Sequence, residues 1–294
     1  MTLHLVLVEP AGARNLGSVA RLCANFGVAE LRLVAPRCDP LGAEARQMAV
    51  HAQAVLEAAP QFVDLAAALA DCGRVVAATG RLEGAPLPLH GPAAALDWLG
   101  AGGAPAASAT GAPATGAAGG GEVAPGPLPV ALVFGREDRG LSNDELLMAG
   151  RLLRLDAGSA YDSLNLSHAV AVVLHEWHQR RRQRAAPLGP APMGSAPMGS
   201  AAGAFEPLGA GELVGGAFPE PAARAALEAA LGDAEALLLE VGFLLPHTAR
   251  ARMAKLRALL QRAQPDSGEV ALLRGMVAQL RWAARRPCPP GAPH

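Results

Sequence analysis

The first 35 residues alternate a strand, a helix and a strand, and this order restricts the fold more than any other feature of the chain. Residues 3–8, LHLVLV, are a short apolar run of the kind that forms strands. From Gly17 apolar residues recur at helical spacing as far as Gly27, and residues 31–35 form a second apolar run. Such a unit winds into two parallel strands with a right-handed helical crossover. The sequence therefore predicts an α/β fold, a parallel sheet with helices on both faces.

A strand that ends in a glycine-bearing loop predicts a ligand site at one edge of this sheet. Residues 129–146, PVALVFGREDRGLSNDEL, contain an apolar strand that stops at Gly135, followed by a charged loop with a second glycine, Gly140. Ser142 then begins a helix, with Glu145 at the capping-box spacing. Ligands of open α/β sheets bind beyond the carboxyl ends of the strands. We therefore expect Gly135 to let the backbone approach a bound ligand.

The remaining apolar patterns predict further strands and helices. Strands are predicted over residues 74–78 and 151–155, and helices over residues 42–58, 62–70, 222–240, 249–262 and 269–285. Leu65 and Leu69 face inward in the helix over 62–70. Another helix begins at about Leu166, and its apolar run, from Ala169 through Val172 to Leu174, is predicted to be buried.

Two segments of low sequence complexity divide the chain. Residues 100–127 and 185–219 are rich in Ala, Gly and Pro, and the second contains the tandem repeat APMGS. Such segments bury too little side chain to offset the entropy of ordering, so we expect a disordered insertion and a linker. The predicted organisation is one large domain over 1–184, a linker over 185–219, a small α-helical domain over 220–286 and a tail over 287–294.

The charge is distributed unevenly although the formal net charge is only −1. Up to residue 178 there are 11 arginines against 17 acidic residues, whereas from residue 179 onward 13 arginines and Lys255 face nine acidic residues. A basic C-terminal region suggests a binding surface for a polyanion. A solvated helix face in an arginine-rich chain is the alternative explanation.

Cysteine spacing and hydropathy exclude several classes of protein. Cys23, Cys38, Cys72 and Cys288 form neither a CxxC pair nor a metal-ligand spacing, so reduced structural thiols and no metal are expected. No apolar run approaches the roughly 18 residues of a membrane span. The N-terminus has no basic start and carries Glu9 early, unlike a signal peptide, so a cytoplasmic location is expected.

Three motifs in a fixed order resemble one known family. Residues 15–27, NLGSVARLCANFG, residues 129–146 and residues 163–176, SLNLSHAVAVVLHE, together resemble the SpoU class of the SPOUT superfamily of RNA 2'-O-methyltransferases. Residues 242–276 resemble the helical tail of the TrmJ type, which methylates ribose in the tRNA anticodon loop. The resemblance implies a C-terminal trefoil knot in the first domain, S-adenosylmethionine as cofactor, tRNA as partner and a homodimer.

The resemblance also implies which side chains act on the ribose. It places Arg21 at the 2'-hydroxyl or its phosphate, with Asn15, Ser163 and Asn165 as positioning groups. Ser18 and Arg21 share a helix face, and a guanidinium can hold a phosphate with two parallel hydrogen bonds. Spacing alone leaves an ordinary surface arginine as the alternative, and SLNLS can equally be a helix N-cap region.

The resemblance implies one further set of residues for the cofactor and one for RNA. The cofactor would lie in a pocket of three loops that contains Thr79, Gly80, Arg81, Gly135, Leu155 and Leu164. Without the resemblance, Thr79 to Arg81 reads as a plain turn. Glu137 is expected to shape the cofactor loop or the subunit interface, or to form a local ion pair with neighbouring arginines. The basic helical residues expected to bind tRNA phosphates are Arg250, Arg252, Lys255, Arg257 and Arg262.

The function predicted on this basis is methylation of a pyrimidine ribose at position 32 of tRNA. Two alternatives remain: ribose methylation of ribosomal RNA, and an RNA-binding protein that has lost catalysis. The presence of Asn15, Arg21, Ser163 and Asn165 favours an active enzyme. A nucleotide-binding α/β protein is disfavoured because the chain has neither a GxxxxGK loop nor a GxGxxG fingerprint after its first strand.

Overall fold

A seven-stranded parallel sheet forms the centre of the protein. The computed structural model describes residues 2–80, 84–101, 127–156, 164–185 and 220–285. Its strands are β1 (Leu3–Val8), β2 (Glu30–Val34), β3 (Gln61–Phe62), β4 (Arg74–Ala78), β5 (Leu89–His90), β6 (Val130–Phe134) and β7 (Arg151–Leu153). They lie in the order β3-β2-β1-β6-β4-β7-β5, and every neighbouring pair is parallel. The predicted parallel α/β sheet is confirmed.

Ten helices surround or extend this sheet in the described part of the chain. They are α1 (Ala13–Phe26), α2 (Ala43–Ala49), α3 (Gln53–Ala58), α4 (Leu65–Ala68), α5 (Pro92–Gly100), α6 (Asn143–Leu146), α7 (Leu166–Ala185), α8 (Arg224–Glu240), α9 (Pro246–Ala263) and α10 (Ser267–Ala284). Successive side chains of β1 point to opposite faces. Leu5 joins a core formed with α1, α2, α3, α5 and α7, whereas Val6 joins one formed with α4 and α6. Helices therefore cover both faces, as predicted.

Several predicted boundaries are wrong for local reasons. Helix α1 begins at Ala13, four residues before the predicted start, because its first turn carries polar residues that hide the apolar spacing. The single helix predicted over 42–58 is two helices, separated at Val50, whose φ of 55° lies in the left-handed region. The helix predicted over 62–70 is a single turn that begins after Asp64, whose side chain caps it, because residues before it form strand β3.

The predictions for β7 and α7 are also partly wrong. Strand β7 ends at Leu153, two residues before the predicted end. In α7, Val173 and Leu174 are buried as predicted, but Val172 is 48% exposed. A helix turns by about 100° per residue, so an unbroken apolar run cannot point entirely toward one core. The helix therefore carries an apolar side chain on its outer face.

Gly17 is explained by close packing between two helices. A Cβ atom built on Gly17 would lie 2.1 Å from the carbonyl oxygen of Ala45 and 2.8 Å from the Cβ atom of Met48. No side chain fits between these backbones, so α1 and α2 depend on glycine here. This packing fixes the direction in which α1, with Asn15 and Arg21, leaves the sheet.

The C-terminal helices pack against the sheet domain through buried polar groups. The backbone amides of Arg224 and Ala225 donate to the carbonyls of Cys72 and Ala70 at 3.2 and 3.1 Å. The Arg224 side chain is buried against Gln261, and burial lowers the pKa of Arg224 to about 10. Trp98 in α5 donates its Nε1–H to the Gln264 side chain at 3.1 Å. These contacts join α8 and α9 to the sheet.

Some predictions concern segments outside the described residues. Most of the predicted insertion and linker fall within 102–126 and 186–219, and the predicted tail over 287–294 is likewise outside. The trefoil knot stays a prediction, since residues 157–163 between β7 and α7 also lie outside. None of the described helices has the length and apolar character that a membrane crossing requires.

Candidate active site

A cleft of about 360 Å³ opens at the carboxyl ends of β4, β6 and β7. Three loops and the start of α7 form its walls. The predicted cofactor residues found in these walls are Thr79, Gly80, Gly135, Leu155 and Leu164. Arg81, predicted with them, lies outside the described residues. The geometry thus gathers five residues that are spread over 86 positions of the sequence.

The loop after β6 folds back tightly on itself along one side of the cleft. Gly140 donates its backbone N–H to the carbonyl of Arg136 at 2.9 Å and adopts a φ of +67°. A Cβ atom on Gly135 would lie 2.4 Å from the carbonyl carbon of Gly140 and 2.5 Å from the nitrogen of Leu141. Glycine at 135 is therefore required by the loop's own backbone. The expectation that Gly135 also lets the backbone approach a bound ligand stays a prediction.

Replacing Gly135 with alanine is expected to lower the free energy of unfolding by about 1–3 kcal/mol, because the new methyl group must displace backbone. The matched control is Gly80→Ala, since Gly80 also lines the cleft but a Cβ there meets nothing within 4 Å. Denaturant unfolding of both variants measures the difference. Equal stability of the two variants would contradict the steric explanation.

Arg136 anchors the same loop to the rest of the sheet edge. Its guanidinium donates to both carboxylate oxygens of Glu145 at 2.9 and 3.0 Å and also contacts Glu9 at the end of β1. These hydrogen bonds raise the pKa of Arg136 above its usual value. Ser142 and Glu145 form the predicted capping box, with bonds of 2.7 and 3.3 Å. The loop is thus held at both of its ends.

Glu137 ties this loop to the start of α1. Its carboxylate accepts hydrogen bonds from the backbone N–H groups of Ala11 and Gly12 at 3.1 and 3.0 Å, and from the side-chain amide of Asn15 at 3.4 Å. Burial opposes ionisation of Glu137, but its hydrogen bonds together outweigh it and hold the pKa below its usual value. Among the described residues Glu137 forms no ion pair with Arg136 or Arg139, and its hydrogen bonds hold the loop against the start of α1. The role at a subunit interface stays a prediction.

Asn15 and Arg21 lie at different distances from the cleft. Asn15 lies beside the cleft, because its side chain contacts Glu137, which lines it. Arg21 follows six residues later, about 9 Å farther along the helix axis. Arg21 is exposed, makes no hydrogen bond or ion pair with any residue that the structure describes, and does not line the cleft of its own chain. Within the described part of one chain, Arg21 is therefore not part of the cleft lining.

Asn165 acts at the start of α7, and Ser163 lies outside the described residues. The Asn165 side-chain oxygen accepts from the backbone N–H of Ser167 at 2.9 Å and from its hydroxyl at 2.8 Å. This is the helix-capping interaction expected as the alternative to a catalytic role. Its amide nitrogen makes no hydrogen bond within the described chain, so it has a donor left for a ligand.

The five predicted RNA-binding residues differ in whether their side chains already contact other residues of the chain. Arg250 pairs with Asp144 of α6, Arg252 donates to the carbonyl of Phe243 at 2.9 Å, and Arg257 holds Glu228 of α8 at 2.7 and 3.2 Å. Lys255 and Arg262 are exposed and make no hydrogen bond or ion pair with residues in the described ranges. They are seven residues apart, so they share one face of α9.

A cluster at the sheet, formed by the buried His4 and Cys72 and the exposed Asp71, brings together residues that sequence spacing did not connect. The ligand atoms of His4, Asp71 and Cys72 lie within 4.8 Å of one another, a set that can hold a metal. However, Arg32 donates to both Asp71 oxygens at 2.6 and 2.8 Å and thereby lowers the pKa of Asp71 to about 2. Burial raises the pKa of Cys72 to about 12, which keeps the thiol protonated. The contacts of this cluster are those of a structural ion-pair network.

A family model decides the assignment of the sheet domain. The model described as the SpoU rRNA Methylase family matches residues 2–175, which include the whole sheet and the cleft. This chain belongs to the SpoU methylase family. A second model, described as the C-terminal domain of the tRNA methyltransferase TrmJ, matches residues 225–288 and covers α8 to α10.

Relatives of this SpoU family member match along nearly its whole length. The tRNA (cytidine/uridine-2'-O-)-methyltransferase TrmJ of Cronobacter sakazakii is 33% identical over 278 residues, which is 95% of each chain. The protein with the same name from Klebsiella pneumoniae is 35% identical over 95% of this chain and 96% of its own. The crystal structure of TrmJ from Z. mobilis ZM4 superposes with a TM-score of 0.70 at 27% identity, covering 95% of this chain and 99% of that one.

Proposed function

We propose that this protein transfers a methyl group from S-adenosylmethionine to the ribose 2'-hydroxyl of a pyrimidine in tRNA, at position 32 of the anticodon loop. The observation that carries the proposal is the cleft formed by the loops after β4, β6 and β7, with Asn15 held at its edge by Glu137. The names of the relatives, which match over 95% of this chain, support the reaction and the substrate class.

The cleft has a size and lining that suit S-adenosylmethionine. Its volume of about 360 Å³ falls within the range of small-molecule sites, about 300–1,000 Å³. Leu153, Leu155 and Leu164 supply apolar walls for a base, while Thr79 and the loop from Gly135 supply polar groups. When bound, S-adenosylmethionine supplies an electrophilic methyl group carried on a sulfonium.

Methyl transfer breaks the ribose O–H bond and the bond from sulfur to methyl, and it forms a new O–CH₃ bond. The protein must orient the hydroxyl and stabilise the negative charge that develops on its oxygen. Arg21 donates hydrogen bonds to that oxygen or to the adjacent phosphate, and Asn15, Ser163 and Asn165 position the ribose. A guanidinium with a pKa above about 12 is a poor base, so water or the substrate phosphate accepts the proton.

A homodimer would bring Arg21 of one subunit to the cleft of the other. The arrangement accounts for an exposed Arg21 that does not line its own cleft. Helix α7 also carries an apolar side chain outside the core, since Val172 is 48% exposed. A shallow groove between α5 and α7 includes Pro92 and Val172. We place the main subunit contact here.

Two exposed residues of α9 are the best candidates for holding tRNA. Replacing Lys255 and Arg262 together with glutamate is expected to weaken tRNA binding at least about tenfold at moderate salt. The plot of log affinity against log salt concentration should lose a slope of about 1.4–1.8, because each lost phosphate contact contributes about 0.7–0.9. Filter binding over a series of salt concentrations measures both quantities.

Arg257→Gln is the matched control for this prediction. Arg257 already holds Glu228, so its loss should reduce the stability of the helices and leave the salt dependence nearly unchanged. A tRNA affinity that does not vary with salt, or an equal loss of slope in the control, would contradict the proposed surface.

Labelled S-adenosylmethionine and purified tRNA test the proposed reaction. The protein is expected to label tRNA that carries cytidine at position 32 and to leave unlabelled a tRNA with 2'-deoxycytidine there, because only the first has the accepting hydroxyl. Equal labelling of both would place the methyl group elsewhere. Labelling of ribosomal RNA in preference to tRNA would favour the alternative substrate, and cofactor binding without any transfer would favour an inactive RNA-binding protein.

A further inference from the structure

The turn between α8 and α9 exposes an aromatic side chain. Phe243 lies in this turn and is 62% exposed, and its neighbours Val241 and Leu245 are exposed as well. Leu244, in contrast, is buried in the core of the C-terminal helices, and its backbone N–H donates to the carbonyl of Leu238 at 2.9 Å. The turn is therefore fixed to the helices while its apolar tip faces solvent. Exposed apolar patches of this kind are typical of interaction sites.

Arg252 of α9 holds the Phe243 ring in place. Its guanidinium carbon lies over the ring, 5.8 Å from the centroid, and its Nη1 donates to the Phe243 carbonyl at 2.9 Å. A guanidinium in this position is attracted by the ring electrons. Arg252 forms no ion pair with a carboxylate of the described residues, and the carbonyl that it contacts is neutral. The positive charge beside the ring therefore stays uncompensated.

The surface that continues from this ring along α9 is positively charged. Residues 241–265 contain five basic residues and no acidic one. Three of the five, Arg252, Lys255 and Arg262, are exposed and pair with no carboxylate in the part of the chain that the structure describes. They are three and seven residues apart, so they share one face of the helix, over about 15 Å. An aromatic ring thus stands at one end of a row of three unpaired cations.

This row begins next to the wall of the cleft. Arg250 pairs with Asp144 at the start of α6, and α6 follows directly on the loop from Gly135 that forms one wall. Arg252, two residues after Arg250, contacts Phe243. The ring and Asp144 therefore flank the same turn of α9. An RNA strand that reaches the cleft from this side passes the exposed ring.

We propose that Phe243 and Arg252 form a stacking platform for one unpaired base of the tRNA anticodon loop. Loops of RNA expose unstacked bases, which stack on aromatic rings and on guanidinium planes. Cations beside such a platform hold the backbone phosphates of the same strand, as Lys255 and Arg262 are placed to do. The inference rests on the proposed function, because it takes tRNA as the substrate.

A nucleotide accounts for both parts of this surface, whereas other occupants account for one. An acidic peptide would pair with the cations but has no need of a flat exposed ring. An apolar partner, such as a second copy of the turn, would bury the ring and leave uncompensated cations at the edge of the contact, which costs free energy. A nucleotide brings a flat base for the ring and a phosphate for the cations.

Two substitutions of Phe243 separate the flat ring from its apolar volume. Phe243→Leu in the full-length protein is expected to weaken tRNA binding by about 5-fold to 150-fold, the loss typical of one base stacked on an aromatic ring. Phe243→Trp keeps a flat ring and should stay within about threefold of the wild type. The slope of log affinity against log salt concentration should not change, because a stacked ring releases no counterions. Filter binding over a salt series measures both quantities.

Trp282→Leu is the matched control. Trp282 is an aromatic residue of α10 that is 55% exposed, and the arginine before it, Arg281, lies 3.7 Å from the carboxylate of Glu240. Its replacement should leave tRNA affinity within about twofold. Thermal unfolding of both leucine variants checks that each is folded. An equal loss of affinity in the two variants, or an affinity of Phe243→Leu equal to that of the wild type, would overturn the platform.

Abasic nucleotides identify the stacked base. In a series of tRNAs, each position of the anticodon loop in turn carries a sugar without its base. One position is expected to weaken binding to the wild type by about the same factor as Phe243→Leu does, and to cause no further loss in that variant, because both changes remove the same stack. Equal sensitivity of the wild type and Phe243→Leu at every position would overturn the platform and would favour a protein partner for the ring.

These measurements need neither S-adenosylmethionine nor methyl transfer. A protein that binds tRNA through Phe243 but transfers no methyl group would lose only the proposed activity. An active enzyme whose tRNA affinity does not depend on the ring at position 243 would lose only the platform.

Discussion

Arg21→Lys is expected to lower the turnover number for methyl transfer by about 100-fold to 1,000-fold, the usual loss when one group that stabilises a developing oxyanion is removed. Lysine keeps the positive charge but cannot donate two parallel hydrogen bonds to a phosphate. The affinity for S-adenosylmethionine should stay unchanged, since Arg21 does not line the cleft of its own chain. Single-turnover kinetics with tRNA and calorimetry with the cofactor measure the two effects.

Arg14→Lys is the control for this prediction. Arg14 is an exposed arginine of the same helix, but its side chain pairs with Glu44 at 3.4 Å. Replacing Arg14 should leave the turnover number within about threefold of the wild-type value, because a surface ion pair contributes little free energy. Nearly full turnover of the Arg21→Lys enzyme would exclude a bidentate role for Arg21.

Mixing subunits tests whether Arg21 works across the dimer. Subunits with Arg21→Lys and subunits with an inactive cleft are each expected to be inactive alone and to regain activity when mixed and allowed to exchange. The mixed dimer then contains one intact cleft facing one intact Arg21. No recovery after verified exchange would place Arg21 in the site of its own subunit.

Glu137→Gln is expected to lower kcat/KM by about 100-fold, within the range seen when groups that position a reacting centre are lost. The carboxylate accepts from Ala11, Gly12 and Asn15, whereas a carboxamide has one accepting oxygen and turns an NH₂ group toward donors. Asn15 and the start of α1 then lose their tie to the cleft. Steady-state kinetics measure the loss, and thermal unfolding should reveal a destabilisation of about 1 kcal/mol.

The stabilisation that the Glu137 carboxylate provides depends on pH in a definite direction. Because the pKa of Glu137 is held below the usual 4.5, its stabilising contribution is complete above that value and is lost as the pH falls through the lower, folded-state pKa. The difference in stability between the wild type and Glu137→Gln should therefore shrink in acid.

Glu44→Gln, which removes an exposed carboxylate that also contacts α1, should leave kcat/KM nearly unchanged. An equal loss of activity in both variants would contradict a specific role for Glu137.

Strands and ligand loops could be predicted because their signals are local. The bounds of β1, β4 and β6 agree with the predictions, since each is a short apolar run that ends at a polar or glycine-bearing turn. The resemblance of three motifs then named five cleft residues that the fold does bring together. Parallel strands place their carboxyl ends at one edge, and this topology makes distant loops neighbours.

What the sequence did not reveal depends on contacts between distant segments. Glycine at 17 was recognisable, but the backbone atoms that exclude a side chain there belong to Ala45, which becomes a neighbour only in the folded chain. The partners of Glu137 are more than 120 residues away in sequence. A carboxylate in a charged loop is equally typical of an ion pair. Only the structure shows that Glu137 instead accepts hydrogen bonds from Ala11, Gly12 and Asn15.

The spacing of apolar residues in the sequence also did not show which of their side chains are exposed. The periodicity of Leu272, Met276 and Leu280 predicts a helix, and the helix is present, yet these side chains face outward. Val172 in α7 was expected in the core for the same reason and is exposed. A helical pattern identifies an apolar face but does not distinguish the protein's own core from a subunit contact.

The central proposal is that the cleft and Arg21 serve ribose methylation of tRNA. Mapping of 2'-O-methyl marks in total RNA, from a strain that lacks this protein and from the same strain with the gene restored, tests that claim most directly. We expect loss of the mark on the pyrimidine at position 32 of tRNA, its return with the wild-type gene, and no return with Arg21→Lys. Unchanged tRNA marks, with a loss confined to ribosomal RNA or with no loss at all, would contradict it.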